Sequence, residues 1–95
     1  MKTFIWIGRD GPLGAELRAL HRPAHLAGLE PLAQEGRIRF AGPLRNPEGQ
    51  PVGSVIILDA PDLEQARAIA ARDAYATQGI FASWEVFETT VVFPR

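Results

Sequence analysis

Arg22-Pro23-Ala24-His25-Leu26 places a histidine inside an otherwise apolar helical pattern, in a chain with only two histidines. An imidazole titrates near neutrality, so it can take or give a proton under physiological conditions. A helix histidine can also simply pack, satisfied by a backbone carbonyl or a water. What meets His25 decides between these. The best candidate partner is Asp73, in Arg72-Asp73-Ala74-Tyr75. Asp73 has a plain structural use as well, because it follows one helical stretch and precedes Ala-Tyr-Ala, where it would cap a new turn. If it instead accepts a hydrogen bond from one ring nitrogen, it fixes the tautomer and aim of the imidazole, as the orienting acid of a hydrolytic triad does. The chain has no cysteine and no Gly-x-Ser-x-Gly, so no nucleophile completes a triad. A His–Asp pair alone suits proton transfer, elimination or isomerisation better than acyl transfer.

Other residues are weaker candidates. Gly42-Pro43 and Gly53-Ser54 lie in two neighbouring strand-like segments. Glycine inside a strand marks a bulge or a close approach, so Gly42 and Ser54 are candidate ligand contacts; a strand serine facing water is the ordinary alternative. Tyr75 offers a phenol donor or a buried anchor. Arg9, Arg18, Arg22 and Arg45 could gather around a carboxylate, although scattered solvated arginines are the base case. His21 and His25 are four apart, a spacing that can hold a metal. Pro23 lies between them, no glutamate adjoins His21 and no third ligand is apparent, so no metal site is expected.

These side chains need elements to position them. Thr3 to Gly8 reads as a strand. Asp10-Gly11-Pro12 reads as a loop leading into a helix from about Leu13 to Glu35. Leu13, Leu17 and Leu20 share one face, and His25, Leu29 and Leu32 form a second, rotated stripe. Pro23 predicts a kink or two abutting segments between them, and Gly36 ends the helix. Arg37 to Leu44 reads as a second strand with Ile38, Phe40 and Leu44 on one face. Asn46-Pro47-Glu48-Gly49 predicts a turn into a third strand, Val52 to Asp59. Asp62 with Gln65 starts a helix over Leu63 to Ala71. Asp73 to Gly79 is a short turn or single helical turn, and Phe81 to Phe93 a long final strand with a tail.

The order is β-α-β-β-α-β, which predicts an α+β, ferredoxin-like fold with an antiparallel sheet. The first and third strands are then central, and both are apolar on both faces: Phe4 and Trp6 against Ile5 and Ile7, Ile56 and Leu58 against Val55 and Ile57. Two helices cover one face only. A second copy, sheet against sheet, is the simplest cover for the other, giving a homodimer built as a dimeric α+β barrel.

Length and composition bound the rest. With 95 residues the chain reads as a single domain, and 46% hydrophobic residues fit a folded one. The formal net charge is −1, which gives no broad attraction to nucleic acid or an anionic membrane. The apolar start breaks at Gly8-Arg9-Asp10, too soon for a signal-peptide core, and no stretch is long enough for a membrane helix. A cytoplasmic protein with neither nucleic-acid nor membrane partners is expected. The β-α-β-β-α-β order also occurs in RNA-recognition domains, but those need stacking aromatics where this third strand has Val55-Ile56-Ile57-Leu58.

Taken in order, several segments resemble the YciI-like (YCII-related) family of small bacterial proteins. They are the opening strand, Arg22-Pro23-Ala24-His25-Leu26 with Leu29, Ala41-Gly42-Pro43-Leu44, Pro51-Val52-Gly53-Ser54, Asp73-Ala74-Tyr75 and Gly79-Ile80-Phe81. The resemblance spans nearly the whole chain and implies a single domain over 1–95. It implies a ferredoxin-like domain that dimerises through its sheets and a site built on a histidine and an aspartate, here His25 and Asp73. The family usually reads Asp-Pro-Tyr; Ala74 stands at the proline here, which loosens the expected turn. At least one relative is a dehydrochlorinase of a chlorinated muconate-type acid, and similar barrels include lactone isomerases and cofactor-free monooxygenases. The expectation is therefore a small enzyme without cofactors that moves a proton on a small, acidic organic molecule. A non-catalytic ligand-binding or sensing module on the same dimer is the alternative.

Overall fold

A computed structural model describes residues 1–94 and leaves Arg95, the end of the tail, outside the described residues. The elements are β1 (Lys2–Asp10), α1 (Gly14–Gln34), β2 (Ile38–Arg45), β3 (Pro51–Ala60), α2 (Leu63–Arg72), α3 (Ala74–Thr77) and β4 (Phe81–Thr89). The four strands form one antiparallel sheet in the order β2-β3-β1-β4, so the first and third strands are central as expected. This is the ferredoxin-like α+β arrangement predicted from the element order.

The core lies between the sheet and the helices. Phe4, Trp6, Ile56 and Leu58 point from the central strands toward Leu29 and Leu32 of α1 and Ala66, Ile69 and Ala70 of α2. Each large side chain removed from water here contributes about 1.5–3 kcal/mol. Local signals set the ends of the elements. The Asp62 carboxylate accepts from the Gln65 amide at 2.8 Å and caps α2, while Gly36 takes φ +72° just beyond α1. The β2–β3 turn closes through Gly49 N to Asn46 O at 2.9 Å.

Several sequence expectations are corrected. α1 is one helix running through Pro23, not two segments. Pro23 removes a single internal donor, leaving the Ala19 carbonyl without its helical partner, and packing on both sides holds the axis together. Of the expected leucine stripe only Leu17 packs, partly buried, against the core, while Leu13 and Leu20 are exposed. The inward stripe is Gly14, Arg18, His21, His25, Leu29 and Leu32, at steps of four, three, four, four and three. Its first half carries polar side chains, which periodicity of apolar residues cannot detect. Asp10 belongs to β1, past an irregularity between Arg9 and Asp10, rather than to a loop. A bulge between Ile38 and Phe40 turns Ile38 toward the helices and Phe40 to the opposite face, so the two do not share a face. β4 stops at Thr89, paired with Thr3, because β1 offers almost no further residues to pair with; Val91, Val92 and Phe93 follow as an exposed tail.

The face away from the helices carries half-buried Ile5, Ile7, Val55 and Ile57, with Phe40 and Phe87 each about half exposed. At its polar end Asp59 accepts from Thr3 Oγ1 at 2.8 Å and from Arg39 Nε at 3.0 Å. Burial alone would raise the Asp59 carboxyl; hydrogen bonds from Arg39 and Thr3 and the Arg39 charge outweigh it and hold the group below its usual range. Among the described residues no helix is long and apolar enough to cross a membrane.

β1 and β3 approach closely at one end. A Cβ on Gly53 would lie 2.5 Å from the Gly8 carbonyl oxygen and 3.1 Å from Leu44 Cδ1. Backbone cannot yield cheaply, so Gly53→Ala should cost about 1–3 kcal/mol. A melting temperature at least about 4 °C below wild type is expected; an unchanged one would refute this register.

Candidate active site

Asp73 sits at the junction of α2 and α3, where its extended backbone (φ −62°, ψ 145°) ends one helix and opens the next. Oδ2 accepts from the Tyr75 amide at 2.9 Å, the N-cap expected of an aspartate here. The same carboxylate faces His25 Nδ1, at 2.9 Å from Oδ1 and 2.8 Å from Oδ2. Capping and histidine orientation are therefore one arrangement. Ala74 in place of the family's proline leaves the turn intact, closed by Ala76 and Thr77 amides on the Asp73 carbonyl at 3.0 and 2.9 Å.

Both side chains are buried, at 9% and 3% exposure. An ionised carboxylate only accepts, so Nδ1 carries the hydrogen and Nε2 is left with its lone pair in the neutral ring. The Tyr75 ring stacks on the imidazole, with centroids 3.9 Å apart and planes within 2°. Phe81 meets Tyr75 edge-on at 5.7 Å. One ring edge of His25 is thus fixed by Asp73 and one face by Tyr75.

A cavity of about 310 Å³ lies between α1 and the β2–β3 strands, and His25, Ser54, Tyr75, Arg18, Arg22 and Gly42 line it. Asp73 does not, so the Nδ1 contact lies outside the cavity that His25 lines. Ser54 is buried, with Arg18 Nη2 donating to its hydroxyl oxygen at 3.1 Å. Tyr75 is buried too, its hydroxyl directed at the Arg18 carbonyl at a long 3.5 Å; burial, ahead of the neighbouring charges, pushes its phenol up. Gly42 contributes backbone only, since a Cβ there would meet the Phe40 ring at 3.0 Å on the far face. Arg22 lies exposed at the rim with no ion pair among the described residues, and Arg45, also lining, donates to the Gly49 carbonyl at 2.9 Å. Arg9 is exposed on β1 and is not brought to the cavity. His21 lies one turn before His25, whose Nδ1 is engaged by Asp73. Among the described residues no three His, Cys, Asp or Glu side chains cluster as metal ligands.

One residue escaped the sequence reading. Asp10 holds Arg18 through two hydrogen bonds, from Nε at 2.6 Å and Nη2 at 2.8 Å. The available signal was the seven-residue spacing of Arg18 and His25, which puts both on one helix face.

The YCII-related domain model matches residues 1–90. The chain belongs to this family. Protein YciI of Escherichia coli O6:H1 (strain CFT073) is 36% identical over 84 residues, covering 82% of this chain and 86% of that protein. An uncharacterized protein of Haemophilus influenzae is 34% identical over 85 residues, covering 83% and 87%. Among solved structures, the 5-chloro-2-hydroxyhydroquinone dehydrochlorinase (TftG) of Burkholderia phenoliruptrix AC1100, in complex with 2,5-dihydroxybenzoquinone, superimposes with a TM-score of 0.81 at 26% identity over 93% of both chains. By its name this dehydrochlorinase takes a chlorinated hydroxyhydroquinone rather than a muconate-type acid. An antibiotic biosynthesis monooxygenase shares the fold, with a TM-score of 0.56 at 18% identity over 97% of this chain and 99% of the other.

The tautomer of His25 is directly measurable in this YCII-related protein. Long-range ¹H–¹⁵N spectra at pH 8 should show Nδ1 protonated and Nε2 bare in wild type. Asp73→Asn should introduce a detectable Nε2–H population, because the amide can present either oxygen or NH₂ to the ring. An Nε2–H tautomer in the wild-type protein would refute the geometry.

Proposed function

We propose that this protein is a small enzyme that moves a proton on a small organic molecule bound between α1 and the β2–β3 strands. His25 Nε2 is the proton acceptor and donor, and Asp73 holds the ring and stabilises the imidazolium that forms. The observation that carries this is the buried Nδ1–carboxylate contact at 2.8 Å on a histidine that also lines the cavity. No nucleophilic side chain is required, and the proton transfer asks for no cofactor. Elimination, isomerisation and hydrolysis all begin with such a step. The solved relative TftG, a dehydrochlorinase, supports elimination. Ser54 and Tyr75 frame the substrate beside Gly42, and the rim cation Arg22, with Arg45, favours an acidic one.

Wild-type protein should release chloride from 5-chloro-2-hydroxyhydroquinone, or exchange deuterium into a panel of small cyclic keto acids. His25→Gln, whose side-chain amide still offers Asp73 a donor, should lower that rate by at least about 100-fold while the melting temperature stays near wild type. A large stability loss without a specific rate effect would return His25 to a packing role. Binding of 2,5-dihydroxybenzoquinone without turnover, unchanged in His25→Gln, would identify a ligand-binding or sensing module instead.

We also propose that two copies pair through the sheet face bearing Ile5, Ile7, Val55, Ile57, Phe40 and Phe87. One copy leaves these large apolar side chains partly or half exposed, more than a monomer of this size ordinarily shows to water. Light scattering at micromolar concentration should give about twice the 10.4 kDa chain mass; the mass of one chain would overturn the pairing.

A further inference from the structure

We propose that Arg18 and Ser54 form an oxyanion site in the cavity that His25 lines, with Asp10 as its positioning residue. The proposal rests on the proton-transfer role of His25 and says where negative charge settles when the proton leaves.

Arg18 and Asp10 are deeply placed, with side-chain exposures of 12% and 6%. A guanidinium at this depth needs a partner, and the two-pronged contact from Nε and Nη2 supplies it. The pair is built into the fold: a Cβ on Gly14 would lie 2.6 Å from Asp10 Oδ2, so the start of α1 can rest on this carboxylate only with glycine there. A purely structural ion pair would be complete at that point. This one continues into the cavity. Nη2 also donates to Ser54 Oγ, and Nη1 donates to no acceptor among the described residues while remaining unburied. Ser54 receives a hydrogen bond on its oxygen, so its own O–H is the function left over, and no described residue accepts it.

Two residues that line the cavity therefore keep a donor without a protein acceptor, one of them charged, and they share that lining with a histidine whose neutral ring keeps one accepting nitrogen. Tyr75 links them, stacked on His25 and 5.0 Å from Arg18 Cζ. Such a constellation fits a substrate with an acidic C–H next to a carbonyl, or a hydroxylated ring that reacts through its keto form. His25 Nε2 takes the proton. The C–H electron pair becomes a C=C bond, and the C=O π pair moves onto oxygen as an enolate. Ser54 O–H and Arg18 Nη1 hold that oxygen. His25, now imidazolium, returns the proton to carbon; or, where the carbon next to the deprotonated one bears a leaving group, the enolate re-forms C=O, a new C=C bond forms as the leaving anion departs with its electron pair, and His25 gives its proton to solvent. Donors fixed in advance around developing charge lower the barrier because no reorganisation is needed.

The test uses 4-nitrophenol, whose absorbance reports its ionisation, and 4-nitrotoluene, a neutral analogue of the same shape. Bound to wild type, 4-nitrophenol should ionise at lower pH than free in solution. Ser54→Ala should weaken 4-nitrophenolate about tenfold or more, change 4-nitrotoluene less than about twofold, and raise the ionisation pH of the bound phenol. The double variant Asp10→Asn/Arg18→Gln removes both charges together, leaving no lone buried ion, and should abolish the preference for phenolate. Wild type showing no preference, including no binding of either probe, would overturn the site. So would Ser54→Ala weakening both probes equally; Asp10–Arg18 would then be structural only. His25→Gln should keep the phenolate preference. Loss of the preference with His25-dependent turnover intact removes only the oxyanion site; a retained preference without turnover removes only the proton-transfer role.

Discussion

The carboxylate of Asp73 is the constraint on which the site depends. It satisfies a backbone amide at the start of α3 and an imidazole nitrogen from α1 at the same time. Truncating one member of a buried, charged contact of this kind, with no donor or acceptor put in its place, typically costs about 3–5 kcal/mol, because the remaining group stays desolvated and unpaired. The contact joins residues 48 positions apart and links α1 to the junction of α2 and α3. The orientation of the histidine and the docking of α1 are consequently one property. A ring held on its Nδ1 edge and stacked on Tyr75 has little freedom left, and such preorganisation is what the proposed proton-transfer role requires.

α1 is pinned twice, not once. Asp73 holds His25 from the side of α2 and α3, and Asp10 holds Arg18 from the end of β1. The two inward residues are seven apart, two turns on one face. Rotating the helix would break both contacts at once. Pro23 lies between them, and a proline inside a helix costs about 3 kcal/mol relative to alanine. The helix runs through it because the polar anchors on its two sides, with Leu29 and Leu32 beyond, fix each half against the same body. Polar residues on a buried stripe thus set the rotation of the helix, a specificity that leucines alone would define less sharply.

Much of this was legible in the chain and some was not, for identifiable reasons. The strand order followed from the element order, and the doubly apolar central strands announced themselves in Phe4 to Ile7 and Val55 to Leu58. Asp62 and Asn46 to Gly49 acted as local chemistry predicts. The Ile38–Phe40 bulge was invisible because an extra residue in a ladder depends on the partner strand. The end of β4 depends likewise on where β1 runs out. His25 and Asp73 drew attention by residue type and family resemblance, since nothing in local spacing relates positions 25 and 73. Asp10 was missed because a strand end preceding Gly-Pro looks like a loop until Arg18 folds down on it.

The cavity has its own cause in the sequence, visible in the rows of the sheet that face the helices. Phe4, Leu58 and Ile38 form one row; Trp6, Ile56 and Ala41 the next; Gly8, Ser54 and Pro43 the third. Side-chain bulk falls along this series. At the bulky end Leu29 and Leu32 of α1 complete a dry core. At the small end the Phe81 ring occupies the space over Gly8, and nothing as large stands over Ser54 and Pro43. A void lined by leucines would forfeit packing there. Arg18 and His25 reach in instead, each with its charge or hydrogen met by a carboxylate from outside the cavity. The missing apolar volume and the paired polar groups are therefore two sides of one arrangement: small residues on β1, β2 and β3 open the space, and Asp10 and Asp73 allow polar side chains to line it.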